Sequence, residues 1–210
     1  MFKLLVEAFK AKKRPSILGF LEIFLCMVIG NSLGVFLSME TFAEPVFSND
    51  LLRKAESGDT VAQLELAEIY LYGNGIDSDE NQAELWAIKS AENGNVAAMF
   101  WLADGYVTYA KLMEEDDKND SLEHFQKAFK WFQKASENGH SESMVELADL
   151  YTRADSGIEV NIKKALELRE KAAKLGNKKA MRSLSVMYRD GIGIPKNTDL
   201  AQSWWDKSEN

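Results

Sequence analysis

Residues 55–86 read AESGDTVAQLELAEIYLYGNGIDSDENQAELW and contain one complete structural unit of this 210-residue chain. Ala62, Leu66 and Tyr70 recur at helical spacing, so they share one face of a predicted helix. Gly73-Asn74-Gly75 then ends that helix, because glycine accepts the left-handed conformations that a helix end and a turn require. The first half of the unit therefore predicts one amphipathic helix and a tight turn.

The second half of the unit predicts another helix. Asp77 or Asp79 can accept hydrogen bonds from the first free amides of that helix. Ala83 and Trp86 then fall on one side of it. The small residues allow two helices to approach closely and the large ones fill the remaining space, so the unit is a predicted helical hairpin.

The same unit occurs four times along the chain. Its recurring glycines, tyrosines and alanines are Gly58, Gly94, Gly139 and Gly176; Tyr70, Tyr106, Tyr151 and Tyr188; and Ala83, Ala128, Ala165 and Ala201. The glycine-to-glycine steps are about 36, 45 and 37 residues, a period typical of solenoids built from stacked units. The long step carries an insertion at residues 111–120, whose acidic run Glu114-Glu115-Asp116-Asp117 is interpreted as a charged spacer.

These residues resemble the Sel1-like repeat, a relative of the tetratricopeptide repeat, over roughly residues 50–208. Repeat one supplies Ala55, Gly58, Ala62, Leu66, Ala67, Tyr70, Gly73, Gly75, Ile76, Ala83 and Trp86. Repeat four supplies Ala173, Gly176, Ala180, Leu184, Tyr188, Gly191, Gly193, Ile194, Ala201, Trp204 and Trp205. The resemblance implies an all-α, right-handed α-solenoid of four helix-turn-helix repeats at 58–93, 94–138, 139–175 and 176–210. We also expect a leading helix within residues 44–57, from about Asp50 to Ser57.

The amino terminus has the three regions of an export signal. Basic residues at Lys3 to Arg14 precede an apolar stretch from Ile17 to Leu37, and Thr41-Phe42-Ala43 offers small residues before a cleavage site. Glu22 lies within the apolar stretch and leaves a run shorter than the roughly 20 residues that span a bilayer. We expect residues 1–43 to be a cleaved signal peptide, with an uncleaved inner-membrane signal anchor as the alternative and a buried cytosolic helix as a third. The repeats are then expected in the periplasm or outside the cell.

The net charge and the cysteine content limit the classes of binding partner that we expect for this chain. Removing residues 1–43 would take away five basic and three acidic side chains and change the net charge from −8 to about −10. This disfavours nucleic acid and anionic membrane surfaces, whose phosphates select Lys and Arg, and allows a basic protein partner. Cys26 is the only cysteine. Some exported members of the family that the chain resembles have a disulfide in each helix pair and have been linked to β-lactam binding. This chain lacks those cysteines, so we do not expect it to bind β-lactams.

No catalytic, cofactor or metal site is predicted. The two histidines, His124 and His140, lack a second histidine, cysteine or carboxylate at a ligand spacing that recurs. The Gly-x-Gly segments lie in helix-helix turns rather than after a strand, which argues against a phosphate-binding loop. Both histidines are therefore interpreted as structural or surface residues.

The first helix of each pair is expected to line the concave face. Equivalent positions there hold an apolar strip, an acidic row and a basic end, and the predicted partner-binding residues are Leu64, Phe100 and Val145; Glu68, Asp104 and Asp149; and Arg182 and Arg189. The alternative is an ordinary solvated helix surface. We call this set of eight residues the first-helix face.

Three functions stay open from the sequence. The first is an exported, non-catalytic adaptor that binds another protein on the concave face. The resemblance implies a narrower form, a periplasmic immunity protein that neutralises a secreted lipase or other toxin effector. The third is a hydrolase acting on a cell-wall or β-lactam substrate, which would require a catalytic cluster that the sequence does not display.

Overall fold

The structure, a computed structural model, describes residues 46–209, and the predicted signal segment lies outside them. Within this part of the chain there are nine helices and no strand. They are α1 (Asn49–Glu56), α2 (Thr60–Tyr72), α3 (Glu80–Glu92), α4 (Val96–Met113), α5 (Lys118–Glu137), α6 (Ser141–Thr152), α7 (Ile162–Lys174), α8 (Lys178–Asp190) and α9 (Thr198–Glu209). The leading helix α1 is present one residue earlier than predicted, and four helical hairpins follow it.

The helices begin where short polar side chains can accept hydrogen bonds from the first free amides. Asp59 Oδ1 accepts from the amides of Val61 and Ala62 at 3.0 and 3.1 Å. Asp79 does the same at the start of α3. α2 ends at Gly73, whose φ of 73° lies in the left-handed region that glycine adopts readily. Caps and turn therefore set the bounds of the hairpin that the sequence predicts.

The insertion in repeat two lengthens two helices rather than adding a long spacer. α4 continues to Met113 and α5 starts at Lys118, so only residues 114–117 lie between them. Asp117 ends this turn by accepting hydrogen bonds from the amides of Asn119 and Asp120, both at 3.1 Å. Glu114 pairs with Arg153 of repeat three, which ties the turn to the next hairpin. The charged spacer predicted at residues 111–120 is therefore limited to its acidic run, residues 114–117, and the residues on either side of this run belong to α4 and α5.

The helices stack in sequence order, each packing chiefly on the helices before and after it. The recurring alanines Ala83, Ala128, Ala165 and Ala201 are all buried, which lets neighbouring helices approach closely. One apolar cluster runs through repeats one to three, and a second joins repeats three and four. Since each repeat buries its faces only against its neighbours, the chain is an all-α solenoid.

Polar contacts fix the first junction between repeats. Ser90 Oγ and Asn95 Nδ2 both donate to the carbonyl oxygen of Thr60, at 2.6 and 3.0 Å. Gln63 Nε2 donates to the carbonyl oxygen of Ala55 at 2.9 Å. The bonds to Thr60 hold α3 and the start of α4 against the start of α2, and the bond of Gln63 holds α2 against the end of α1.

No helix among residues 46–209 combines the length and apolar character that crossing a membrane requires.

Candidate protein-binding surface

The apolar part of the first-helix face is shorter than predicted. Leu64 on α2 and Phe100 on α4 are half-buried and pack against the core while keeping part of their surface in solvent. Val145 on α6 occupies the equivalent position in repeat three but is only 1% exposed, inside the cluster that joins repeats three and four. The strip therefore spans repeats one and two, and Val145 offers almost no surface to a partner.

Phe100 is held in place by two other rings. Its centroid lies 5.9 Å from that of Phe132 and 4.9 Å from that of His140, with tilted geometry in both pairs. Ring pairs at these separations are favourable beyond the area that they bury. Phe100 is therefore a rigid, partly exposed aromatic group, which suits it to act as an anchor for a partner.

All three side chains of the acidic row take part in interactions within the fold. Glu68 and Asp104 are half-buried on α2 and α4. Asp149 on α6 accepts a hydrogen bond from Arg169 Nη2 at 2.7 Å and lies 3.7 Å from Lys179 Nζ. Its charge is therefore already balanced within the fold, and it is less suited than predicted to attract a basic partner.

Arg169 is the buried charge with which Asp149 pairs. It lies on α7, four residues after the recurring Ala165, where repeats one and two have the core residues Ala87 and Phe132. The Arg169 residue is 8% exposed, and its Nη1 contacts the sulfur of Met187 at 3.4 Å. A buried guanidinium requires a counter-charge, which Asp149 supplies from the surface of α6. A charged residue at an otherwise apolar repeat position was the sequence signal for this pair.

The two arginines of the predicted basic end are also paired. Arg182 Nη2 lies 3.2 Å from Glu209 Oε1 on α9. Arg189 donates two hydrogen bonds of 2.8 Å to the carboxylate of Asp190. This carboxylate raises the pKa of Arg189, and the arginine lowers the pKa of Asp190 in return. Since both pairs are largely exposed, they are weak and can exchange with an incoming group.

A cleft lies between α6, α7 and α8. Its volume is about 480 Å³, and its lining includes Thr152, Arg169, Lys179, Arg182, Val186 and Ile192. Desolvation works against the charged form of Lys179, but the hydrogen bond with Glu146 and the charge of Asp149 outweigh it, so the pKa of Lys179 is raised. Lys179 is therefore a cation at the mouth of the cleft.

The described repeats match a known family along their whole length. The model of the Sel1 repeat family matches residues 60–95, 96–140, 141–177 and 178–209. The chain belongs to the Sel1 repeat family. Proteins of this family act as scaffolds for protein-protein interaction and are typically non-catalytic.

Similar proteins come from bacteria and from eukaryotes. The chain is 30% identical to the Sel1-repeat-containing protein YjcO of Escherichia coli K12 over 160 residues, which cover 74% of this chain and 63% of YjcO. It is 33% identical over 95 residues to cytochrome c oxidase assembly factor 7 of Xenopus tropicalis, covering 45% of this chain and 39% of that protein. The chain thus spans less than two thirds of the length of these relatives.

A solved structure supports the fold. The crystal structure of c5321, a protective antigen of uropathogenic Escherichia coli with a Sel1-like repeat (SLR) fold, matches this chain with a TM-score of 0.65 and 27% sequence identity. The match covers 79% of this chain and 33% of c5321.

The two histidines have structural contacts within these Sel1 repeats. His140 takes the helix-capping position that Asp59, Asn95 and Asn177 hold in the other repeats, and its Nδ1 accepts from the amide of Ser143 at 3.2 Å. His124 is buried, and its Nδ1 donates to the carbonyl oxygen of Asp120 at 2.8 Å. Among residues 46–209, no three His, Cys, Asp or Glu side chains are arranged to hold a metal ion.

The surroundings of His124 form a polar network between α4 and α5. The hydroxyl of Tyr109 donates to Asp120 Oδ2 at 2.8 Å, and its ring lies 4.3 Å from the imidazole of His124. Burial, together with this hydrogen bond, raises the pKa of Tyr109 to about 12. The tyrosine therefore remains a neutral donor near pH 7, which fits a role in holding the long hairpin of repeat two together.

Proposed function

We propose that this Sel1 repeat protein is an exported, non-catalytic adaptor that binds a protein partner on its first-helix face. The observation that carries the proposal is the composition of this face in repeats one and two. There Leu64 and Phe100 keep apolar surface in solvent next to the acidic side chains Glu68 and Asp104. A few apolar or aromatic anchors surrounded by polar groups are typical of protein interfaces.

The two halves of the face are expected to contribute differently. Phe100 would supply desolvated contact area, which mainly slows dissociation. Glu68 and Asp104 would attract a basic segment of the partner, which mainly speeds association and weakens as salt rises. Asp149 is left out of this role because it balances Arg169.

The binding test uses the tagged full-length chain, cross-linked in its native cells and recovered with its partners. Phe100→Ala should reduce recovery of the specific partner. With the purified partner, it should raise the Kd about 30-fold, which corresponds to the loss of an anchor worth about 2 kcal/mol. Glu68→Lys with Asp104→Lys should slow association of the purified partner at low salt. Glu56→Lys with Glu92→Lys makes the same charge change at exposed positions away from the face and should leave binding intact. Equal recovery by all these variants, when folded, would rule out this face.

The identity of the captured protein separates the adaptor from the immunity protein. A secreted lipase or other toxin as the specific partner would favour immunity, whereas an envelope enzyme or regulator would favour an adaptor.

Export is proposed from residues 1–43, which lie outside the described part of the chain. Basic residues, an apolar stretch and Thr41-Phe42-Ala43 in that order support it. Alkaline phosphatase fused after Ala43 should be active, and N-terminal sequencing of the processed protein should begin near Glu44. Recovery of the full-length protein in the cytosolic fraction would contradict export, and an uncleaved membrane-bound form would indicate a signal anchor.

A further inference from the structure

An acidic pocket lies between α3 and α5, the second helices of repeats one and two. Its volume is about 420 Å³, a size within the range of ligand sites. Its lining includes four carboxylates and one ammonium group, which belong to Glu80, Glu84, Asp120, Glu123 and Lys127. We call this site the α3–α5 pocket. Negative charge therefore exceeds positive charge within it.

Two of these carboxylates keep a negative charge that the fold does not balance. Glu84 accepts a hydrogen bond from the hydroxyl of Tyr106, and Asp120 accepts one from the hydroxyl of Tyr109 at 2.8 Å. Burial, together with these carboxylates, raises the pKa of both tyrosines, so the hydroxyls are neutral near pH 7. The two hydrogen bonds orient the carboxylates without supplying positive charge, and each carboxylate can accept further bonds.

The other two carboxylates of the pocket are already engaged. Glu123 Oε1 lies 2.7 Å from Lys127 Nζ, and Glu80 also takes part in an interaction within the fold. The binding capacity of the pocket therefore rests on Glu84 and Asp120.

His124 supplies an unused hydrogen-bond acceptor at the wall of the pocket. The residue is 5% exposed, and its ring packs against those of Tyr106 and Tyr109. Its Nδ1 donates to the carbonyl oxygen of Asp120, so Nε2 of the neutral imidazole carries a free lone pair. Nε2 has no partner among the residues that the structure describes, but it is not sealed from solvent. Because polar atoms of buried side chains are seldom left without a partner, this nitrogen indicates a donor that enters the pocket.

The ligand that fits these groups is a cation with several N–H donors. A guanidinium group has five donors in one plane, so it can reach two carboxylates and an imidazole nitrogen together. It is also more weakly hydrated than an ammonium group, which lowers the cost of entering a pocket. A metal ion fits less well, since no three His, Cys, Asp or Glu side chains in the described part of the chain are arranged to hold one.

We propose that the α3–α5 pocket binds an arginine side chain of a protein partner. The guanidinium donates to the carboxylates of Glu84 and Asp120, and Nε2 of His124 accepts a further hydrogen bond from it. The inference goes beyond the adaptor proposal, because the pocket lies between second helices and uses none of the residues of the first-helix face.

The test is an NMR titration of the ¹⁵N-labelled protein, purified after expression of the full chain, with N-acetyl-arginine amide as the probe. The backbone amides of Glu84 and Asp120 and the ring nitrogens of His124 should shift saturably, with a Kd of about 1 mM or tighter. N-acetyl-citrulline amide has nearly the same shape without the charge and should bind at least about tenfold more weakly. Equal affinity for N-acetyl-lysine amide would contradict a guanidinium site.

Paired variants make the test specific. Glu84→Gln with Asp120→Asn removes both charges but keeps an acceptor for each tyrosine hydroxyl, and it should weaken binding of the arginine probe at least about tenfold. Glu92→Gln with Glu137→Gln makes the same charge change at exposed positions of the same two helices and should leave binding unchanged. Circular dichroism establishes that each variant is folded.

Three results would overturn the proposal: equal affinity for the citrulline probe, no saturation by about 10 mM, or undiminished binding by the folded Glu84 and Asp120 double variant. The comparison of arginine with citrulline uses the unchanged protein, so it decides the matter even if that double variant does not fold.

The outcome is separable from that of the adaptor proposal. If Phe100→Ala weakens recovery of the cellular partner but the arginine probe does not bind, the adaptor stands and the pocket fails. If the probe binds in the pocket while every variant of the first-helix face recovers the partner normally, the pocket stands and the first-helix face is ruled out.

Discussion

Trp86→Ala is expected to lower the free energy of unfolding by about 3–5 kcal/mol, the range for removing a large buried aromatic side chain. Trp86 is 7% exposed and belongs to the apolar cluster that runs through repeats one to three. Its removal leaves a cavity between α3 and its neighbours, because stacked helices can close only part of the space. Urea denaturation of the purified protein, followed by circular dichroism, measures the change.

Trp205→Ala is the matched control for this prediction. Trp205 lies in α9, in the last repeat, and is 46% exposed. Removing a half-exposed side chain should cost under about 1 kcal/mol. A loss that small for Trp86→Ala as well would show that Trp86 is not a core residue.

Trp86 also shows why the fold could be predicted from the sequence. Its repeat position carries a large apolar side chain in every hairpin, and the counterparts Trp131, Leu168 and Trp204 pack against the apolar clusters while staying partly exposed. The recurring alanines are buried in all four repeats, so the close helix contacts of the core follow from the repeat itself.

The insertion in repeat two has no counterpart in the other repeats, so the repeat does not predict where the helices beside it begin and end. Those bounds depend on the cap at Asp117 and on the contact of Glu114 with Arg153.

The first-helix face was harder to predict because equivalent positions there do not share an environment. Phe100 and Val145 occupy the same repeat position, yet only Phe100 keeps surface in solvent. Asp104 and Asp149 are also equivalent, but the partner of Asp149 comes from α7, where Arg169 replaces an apolar residue. A surface is decided by neighbours on other helices, which spacing along one helix does not reveal.

Asp149→Ala is therefore expected to destabilise the protein although Asp149 lies on the surface. The change leaves the buried guanidinium of Arg169 without its 2.7 Å partner. Breaking a fully buried ion pair in this way typically costs 3–5 kcal/mol; we expect about 2–3 kcal/mol, because water can reach the remaining charge from the side of Asp149. The Asp149 side chain is 44% exposed, which is the reason for this reduction.

Combining Asp149→Ala with Arg169→Leu should restore stability to within about 1 kcal/mol of the original protein, since well-packed apolar residues can replace a buried ion pair at little cost. The equivalent positions in repeats one and two, Ala87 and Phe132, are already apolar. Urea denaturation of the two single variants and the double variant forms a double-mutant cycle. If Asp149→Ala is neutral by itself, the carboxylate is not needed to balance Arg169, and Asp149 returns to the acidic row that the sequence predicts. If the double variant stays as unstable as the single one, the loss arises from packing at α6 rather than from the charge on α7.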